Sequence, residues 1–271
     1  MRKTVFVCAL IIILPVMIFL ACAAETEDVI NGWEYIGGQP ADESAEGTDA
    51  SLTLNVQAEQ EEHLREGCSM LQDGFGYADE LVPGIFWDAK YAGSDNFMGR
   101  PADGYPVNRV VCTVEAAQAL RIAQEKAHEK GLELFLFDAY RPARAVADFC
   151  KWAEDAGDTA RKEIHYPNVE KYMLIPEGYI ASQSGHSRGS TIDLTLCGKD
   201  GELLDMGGIF DYMDPRSHHG AAGLTPEQTA NRELLRNIML SSGFTDYACE
   251  WWHYRLLGEP YPYTYFDFVI E

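Results

Sequence analysis

Apolar and polar residues alternate most regularly at Thr191–Leu196 (TIDLTL), a β-branched run whose period of two predicts a strand. Ile192, Leu194 and Leu196 would line one face, and Thr191, Asp193 and Thr195 the other. Leu132–Phe137 is an apolar run broken only by Glu133, and it predicts a central strand. Leu81–Trp87 predicts another. A helical period appears at Glu115–Lys130, where Ala116, Ala119, Leu120, Ala123 and Ala127 share a face, Thr113 can cap and Gly131 stops the helix. Ala143–Ala153 predicts a second helix. Thr225-Pro226-Glu227-Gln228 opens a third, with Thr as N-cap, Pro at the first helical position and Gln closing a capping box; it runs to about Ser242, before Gly243. Tyr91–Tyr105 and Pro167–Tyr179 read as irregular, and Gly198–Gly201 as a turn. Strands mixed with a few helices, without strict alternation or internal repeat, predict an α+β domain that begins near Leu71.

The chain before Leu71 follows other rules. Arg2 and Lys3 precede a nearly unbroken apolar run, Val5–Leu20, and Ala21-Cys22-Ala23 resembles a signal-peptidase site. Residues 1–23 therefore read as a secretory signal and the protein as exported. An uncleaved anchor and lipidation of Cys22 in a bacterial lipoprotein-like signal stay open as alternatives. Glu25–Glu66 holds twelve Asp or Glu and a single Arg, and Gly37–Ser51 shows no apolar periodicity. Such a composition cannot bury a core, so residues 24–70 read as an acidic flexible tether ahead of a folded domain at 71–271.

Formal net charge is −22, and losing Arg2 and Lys3 with the signal leaves −24. No basic stripe exists for nucleic acid, and an anionic membrane surface would repel the chain, so membrane contact is expected only through the leader or a lipid. Seven cysteines are present and none has C-x-x-C spacing. Cys112, Cys150, Cys197 and Cys249 sit in apolar settings and read as buried free thiols, with a disulfide between two of them left open.

The candidate chemistry lies in Ser184–Asp193 (SGHSRGSTID) and Glu250–His253 (EWWH). Together they hold two imidazoles and two carboxylates, the parts of a catalytic zinc site with three protein ligands and one open position. His186, Asp193 and His253 are read as ligands and Glu250 as the base acting on water. Gly185 and Gly189 bracket His186 in a tight loop. An Asp in mid-strand beside a core needs a partner, which a metal supplies. Glu250 and His253 are three apart, so a flat strand would send them to opposite faces. Serving one zinc requires the backbone to bend or bulge between the tryptophans. Taken singly, each stretch also fits an ordinary reading, a loop hydrogen bond for His186 and Asp193 and a core strand for EWWHY. His218 and His219 are adjacent and read as structural, with Asp214, Arg216 or water as partners.

DAYRP (138–142), SGHSRGSTIDLTL (184–196), FDYMDPRSHH (210–219) and EWWHY (250–254), in that order, resemble the D-alanyl-D-alanine dipeptidases, zinc enzymes of the vancomycin-resistance type related to D,D-carboxypeptidases. WDAKYAGSDNFMGRPADGY (87–105) and EPYPYTYFDF (259–268) extend the resemblance to the whole predicted domain. It implies a small antiparallel central sheet with flanking helices and the zinc site on the sheet. It implies one zinc per chain on His186, Asp193 and His253, Glu250 as general base and acid, and Arg141 as transition-state stabiliser. Tyr91 and Asp211 would hold the substrate's ammonium group, and Ser184 would lie beside the substrate. The implied reaction is hydrolysis of D-Ala-D-Ala. An Arg paired with Asp138 or Asp148 is the ordinary reading of Arg141. An exported D,D-carboxypeptidase acting on peptidoglycan peptides and an inactive wall-binding module are the alternatives. The leader and acidic tether depart from typical members of that family, which are cytoplasmic.

Overall fold

A computed structural model describes residues 71–271. The expected leader at 1–23 and tether at 24–70 lie outside the described residues. Strand β1 (Phe75–Tyr77) leads into a single helical turn, α1 (Ala78–Leu81), and then a two-residue strand, β2 (Phe86–Trp87). The expected strand at 81–87 is thus mostly not one. Pro83 cannot donate to a ladder and Gly84 takes φ +81°, so the chain turns before it can pair. β3 (Val111–Thr113) pairs antiparallel with β1 in a small ribbon. Three-residue strands carry too little periodicity to be read from sequence.

Helix α2 (Val114–His128) matches the alanine stripe: Ala116, Ala123 and Ala127 are fully buried, and Ala116 N donates to Thr113 Oγ1 at 3.2 Å. β4 (Glu133–Asp138) follows after Gly131. The one charge in its apolar run has partners on α2, since Glu133 accepts from Gln124 at 2.7 Å and pairs with His128. Helices α3 (Ala143–Glu154) and α4 (Lys162–His165) precede β5 (Thr191–Cys197), every residue of which is buried. Helix α5 (Pro226–Leu240) carries the expected capping box between Thr225 and Gln228. β6 (Phe244–Tyr247) and β7 (Glu250–Leu256) complete the domain.

The main sheet has the order β2-β4-β5-β7-β6. Four of its strands are antiparallel, as expected, but β2 joins β4 in parallel, so the sheet is mixed. The reason is connectivity: the chain returns from β2 to β4 through α2, and a helical crossover leaves the two strands pointing the same way.

On β6–β7, Asp246 faces Tyr254 while Tyr247 faces Glu250, so one step on β6 spans four on β7. The expected bulge is present and holds Trp251, Trp252 and His253. Cys150 and Cys197 are free thiols, but Cys249 is disulfide-bonded, which corrects its reading as a buried thiol. It sits in the half-buried turn between β6 and β7 rather than in the apolar core.

Two features of this fold carry measurable consequences. Gly189 takes φ +85°, and a Cβ there would lie 2.1 Å from the Phe75 ring. Gly189→Ala is expected to cost about 2–4 kcal/mol from overpacking and a left-handed backbone, read by urea unfolding. His165 on α4 is 3% exposed, accepts from Arg161 at Nε2 (3.2 Å) and donates from Nδ1 to the Asp211 carbonyl (3.2 Å). Burial lowers its pKa from 6.5 to about 4, with Arg161 adding to the effect. Between those values the unfolded chain binds the extra proton and the folded chain does not. This stabilisation is therefore fully present above about pH 6.5 and lost as pH falls through about 4. Replacing His165 by Gln should flatten the slope of unfolding free energy against pH in that window.

Candidate active site

The site is built from neighbouring strands and the turns beside them. Asp193 of β5 and His253 of β7 are direct cross-strand partners, so pairing alone sets their side chains together. His186 arrives from a 3-10 turn, Gly185–Arg188, whose first residue has no room for a side chain. A Cβ on Gly185 would lie 3.0 Å from Thr191 Oγ1 and 3.1 Å from the Arg188 guanidinium. Ser184 caps this turn, its hydroxyl accepting from His186 N at 3.3 Å.

His186 Nδ1 donates to the Ala139 carbonyl at 2.7 Å, which leaves the lone pair on Nε2. That nitrogen lies 3.3 Å from His253 Nδ1 and 3.2 Å from Asp193 Oδ2, and His253 Nδ1 lies 3.1 Å from Asp193 Oδ1. The two imidazole nitrogens and the Asp193 carboxylate, which meets each nitrogen with a different oxygen, thus form a triangle of three donor groups, the one such group among the described residues. Asp193 Oδ1 is buried and accepts no hydrogen bond. A proton on His253 Nδ1 could serve only one of the acceptors facing it, whereas a cation serves all three. A tetrahedral ion with bonds of about 2.0–2.1 Å sets its ligands about 3.3 Å apart, close to these edges. The donor set fits a metal ion.

Electrostatics follow from burial. His186 is pushed down to about 4 by desolvation. Desolvation works against the Asp193 carboxylate, but the two imidazoles override it and hold its pKa well below the usual range. Desolvation likewise opposes the charged form of His253, and Asp193 overrides that, raising it. Glu250 stands at the start of β7, beyond the bulge, with Oε2 3.4 Å from His253 Nδ1. Desolvation by its surroundings pushes its carboxyl up to about 7, and Asp193 adds to the rise.

Arg141 follows β4 and forks between two acids. Its Nε and one terminal nitrogen meet Asp138 at 2.9 and 2.8 Å, and the same terminal nitrogen reaches Asp193 at 3.3 Å. Of the two ordinary partners considered from sequence, Asp138 is therefore real, while Asp148 pairs with Arg100 at 2.7 Å. The guanidinium also lies 4.8 Å above the Tyr91 ring. Tyr91, 1% exposed on the Lys90–Ala92 turn, donates to Asp211 Oδ2 at 2.8 Å. Asp211 is the non-glycine residue at positive φ among the described residues, at +57°. Such a backbone persists only where its surroundings over-determine it, and clusters at functional sites. Burial raises its carboxyl well above the usual range, with Asp193 and Glu250 contributing.

All eight residues singled out from sequence stand in or beside this cluster, Ser184 as the turn's cap. Sequence reasoning assigned no site role to Asp138, which also accepts from Tyr105 at 2.8 Å and is raised to about 7 by burial. It also overlooked His165, which supports the Asp211 backbone. Asp138 stands three before Arg141, a readable signal; His165 in an irregular stretch offers none. Of the two adjacent histidines, His218 feels the Asp214 charge, as read from sequence, whereas His219 turns to another partner. Its Nε2 is 3.9 Å from Asp246, and its backbone N donates to the Ala248 carbonyl at 3.0 Å. Asp214 also caps the next turn, and Arg216 Nε donates to the Gly207 carbonyl at 2.6 Å.

Comparison with known proteins places this chain in a family. A family model described as D-ala-D-ala dipeptidase, of the peptidase M15 type, matches residues 72–271. The D-alanyl-D-alanine dipeptidase of Enterococcus faecalis is 54% identical over 202 residues, covering 74% of this chain and 100% of that protein. The Streptomyces coelicolor protein of the same description is 53% identical over 197 residues, 72% of this chain and 98% of the relative. The Escherichia coli one is 34% identical over 176 residues, 65% and 81%. With its residues 72–271 matched and two thirds and more of relatives this similar covered, the chain belongs to the D-Ala-D-Ala dipeptidase family of metallopeptidases.

Proposed function

We propose that this protein is an exported, zinc-dependent D-Ala-D-Ala dipeptidase. The observation that carries the reading is the triangle of His186, Asp193 and His253 with Glu250 and Arg141 at its rim, 3.4 and 3.3 Å from its members. Two neutral imidazoles and one carboxylate suit zinc, with one ion per chain. When bound there, zinc supplies a Lewis acid that brings the pKa of water towards 7.

The chain's own groups do the rest. Glu250, 3.4 Å from His253 Nδ1, takes a proton from the attacking water and delivers it to the departing amine. Arg141 is held by Asp138 from one side, so its other edge faces the scissile carbonyl and stabilises the growing oxyanion. Asp211 and Tyr91 receive the substrate's ammonium group, and Ser184 lies beside the substrate. A blocked amino terminus would offer Asp211 no cation and leave its carboxyl to take up a proton instead, so the pairing that only a free ammonium makes selects a free dipeptide. The apolar run at Val5–Leu20 supports export, with residues 24–70 as a tether to the domain at 71–271.

Purified protein lacking the first 23 residues should release D-alanine from D-Ala-D-Ala, and a chelator should abolish it. An N-acetylated D-Ala-D-Ala should be turned over at least about 100-fold more slowly, on the scale of a site built to pair a substrate group that the analogue lacks. Release mainly from the blocked peptide would transfer the assignment to a D,D-carboxypeptidase, and no release from either despite bound zinc would favour a wall-binding module. Glu250→Ala should lower kcat by roughly 10²–10⁴-fold while keeping its metal by elemental analysis. His186→Ala should lose the metal itself.

A further inference from the structure

Residues 259–271 have no regular secondary structure, yet Ile270 is fully buried and the Glu259 side chain is only 6% exposed. We propose that this segment is a strap that holds the His186 turn and the Arg141 loop at a fixed separation, and that Arg188 is the residue through which it positions the metal-donor turn. The catalytic consequence rests on the function proposed above; the geometry does not.

Phe266 connects the two loops through both its backbone groups. Its N donates to the Ser187 carbonyl at 2.8 Å, one residue after His186. Its carbonyl accepts from Ala143 N at 3.0 Å, two residues after Arg141. The two loops also touch directly, Arg141 N donating to the His186 carbonyl at 3.2 Å, so the strap and the two loops close a ring of backbone bonds.

Each arm of that ring has a side-chain anchor. Arg188, 4% exposed in its side chain, pairs with Glu259 at 2.9 Å and donates to Tyr265 Oη at 3.2 Å. Its guanidinium packs beneath Gly185, where even a Cβ would come within 3.1 Å. The residue before the metal donor therefore rests on the strap's own ion pair. On the other arm, Asp267 accepts from Arg144 N and Nε at 2.7 and 3.0 Å. Phe268 stacks on Tyr140 at 4.0 Å. Arg188 touches no donor atom of the triangle, so any effect on chemistry passes through His186. Displacements of about 1 Å far from the reacting atoms can cost roughly 100-fold in rate.

The test compares wild type with Arg188→Gln, Arg188→Lys and Tyr265→Phe, all zinc-loaded and assayed well below their unfolding temperatures. In Arg188→Gln, kcat for D-Ala-D-Ala should fall at least about 10-fold with KM within about 2-fold, and zinc should pass to a chelator about 10-fold faster. Arg188→Lys, which keeps the charge beside Glu259, should recover most of both. Tyr265→Phe removes one hydroxyl only and should shift both readouts the same way by about 2–3-fold. If Arg188→Gln does not fold, Tyr265→Phe and Arg188→Lys decide. Variants that lower the unfolding temperature but leave kcat and the rate of zinc loss at wild-type values would overturn the proposal. Wild type inert towards D-Ala-D-Ala would remove the activity reading alone, and the rates of zinc loss would still decide the strap.

Discussion

The rest of the structure depends on one arrangement: a buried aspartate facing two imidazole nitrogens across adjacent strands. Asp193 is 2% exposed in a strand whose every residue is buried. A charge in that position would be expensive without a partner. The partner is assembled from three separate parts of the chain. Strand pairing brings His253, a glycine-bounded turn brings His186, and the Ala139 carbonyl orients the His186 ring. The carboxylate and the two nitrogen lone pairs repel one another unless a proton or a cation lies between them, and Asp193 accordingly favours the charged form of His253.

Charge around this centre is unbalanced in one direction. The carboxyls of Asp138, Asp193, Asp211 and Glu250 gather about a single guanidinium, Arg141. Three of them respond with raised pKa values, each chiefly through burial. Asp193 alone is held low, because both imidazoles face it. A divalent ion and a substrate ammonium are the cations such a cluster suits. The same imbalance explains why Arg141 is forked: one edge is committed to Asp138, so the guanidinium cannot collapse wholly onto Asp193.

The aromatic core supports this centre from below. Phe75 of β1 meets Tyr140, Tyr261, Phe266 and Phe268 at 4.9–5.8 Å between ring centres. It also fills the space that Gly189 leaves, so the His186 turn, the Arg141 loop and segment 259–271 share one packing unit. Because close-packed interiors transmit small displacements, residues well outside the cluster set its geometry.

Much of this was legible beforehand, for definite reasons. Periodicity located α2, α5, β4 and β5, because each is long enough to repeat its pattern and carries its own cap or stop. The three-residue spacing of Glu250 and His253 required a bulge, and β7 has one across Trp251–His253. The ordered motifs identified the family, and the three donors read from them stand together in the structure. Other features depended on distance through space. The parallel placement of β2, the brief strands β1 and β3, the pairing of Cys249 and the supporting roles of Asp138 and His165 leave no local pattern. By itself the sequence determined which side chains could bind a metal and which segments could form strands, since both follow from residue type and spacing. Only the tertiary structure decided that three donors, distant in the chain, converge within 3.3 Å, because strand register and turn packing are set by the whole core at once.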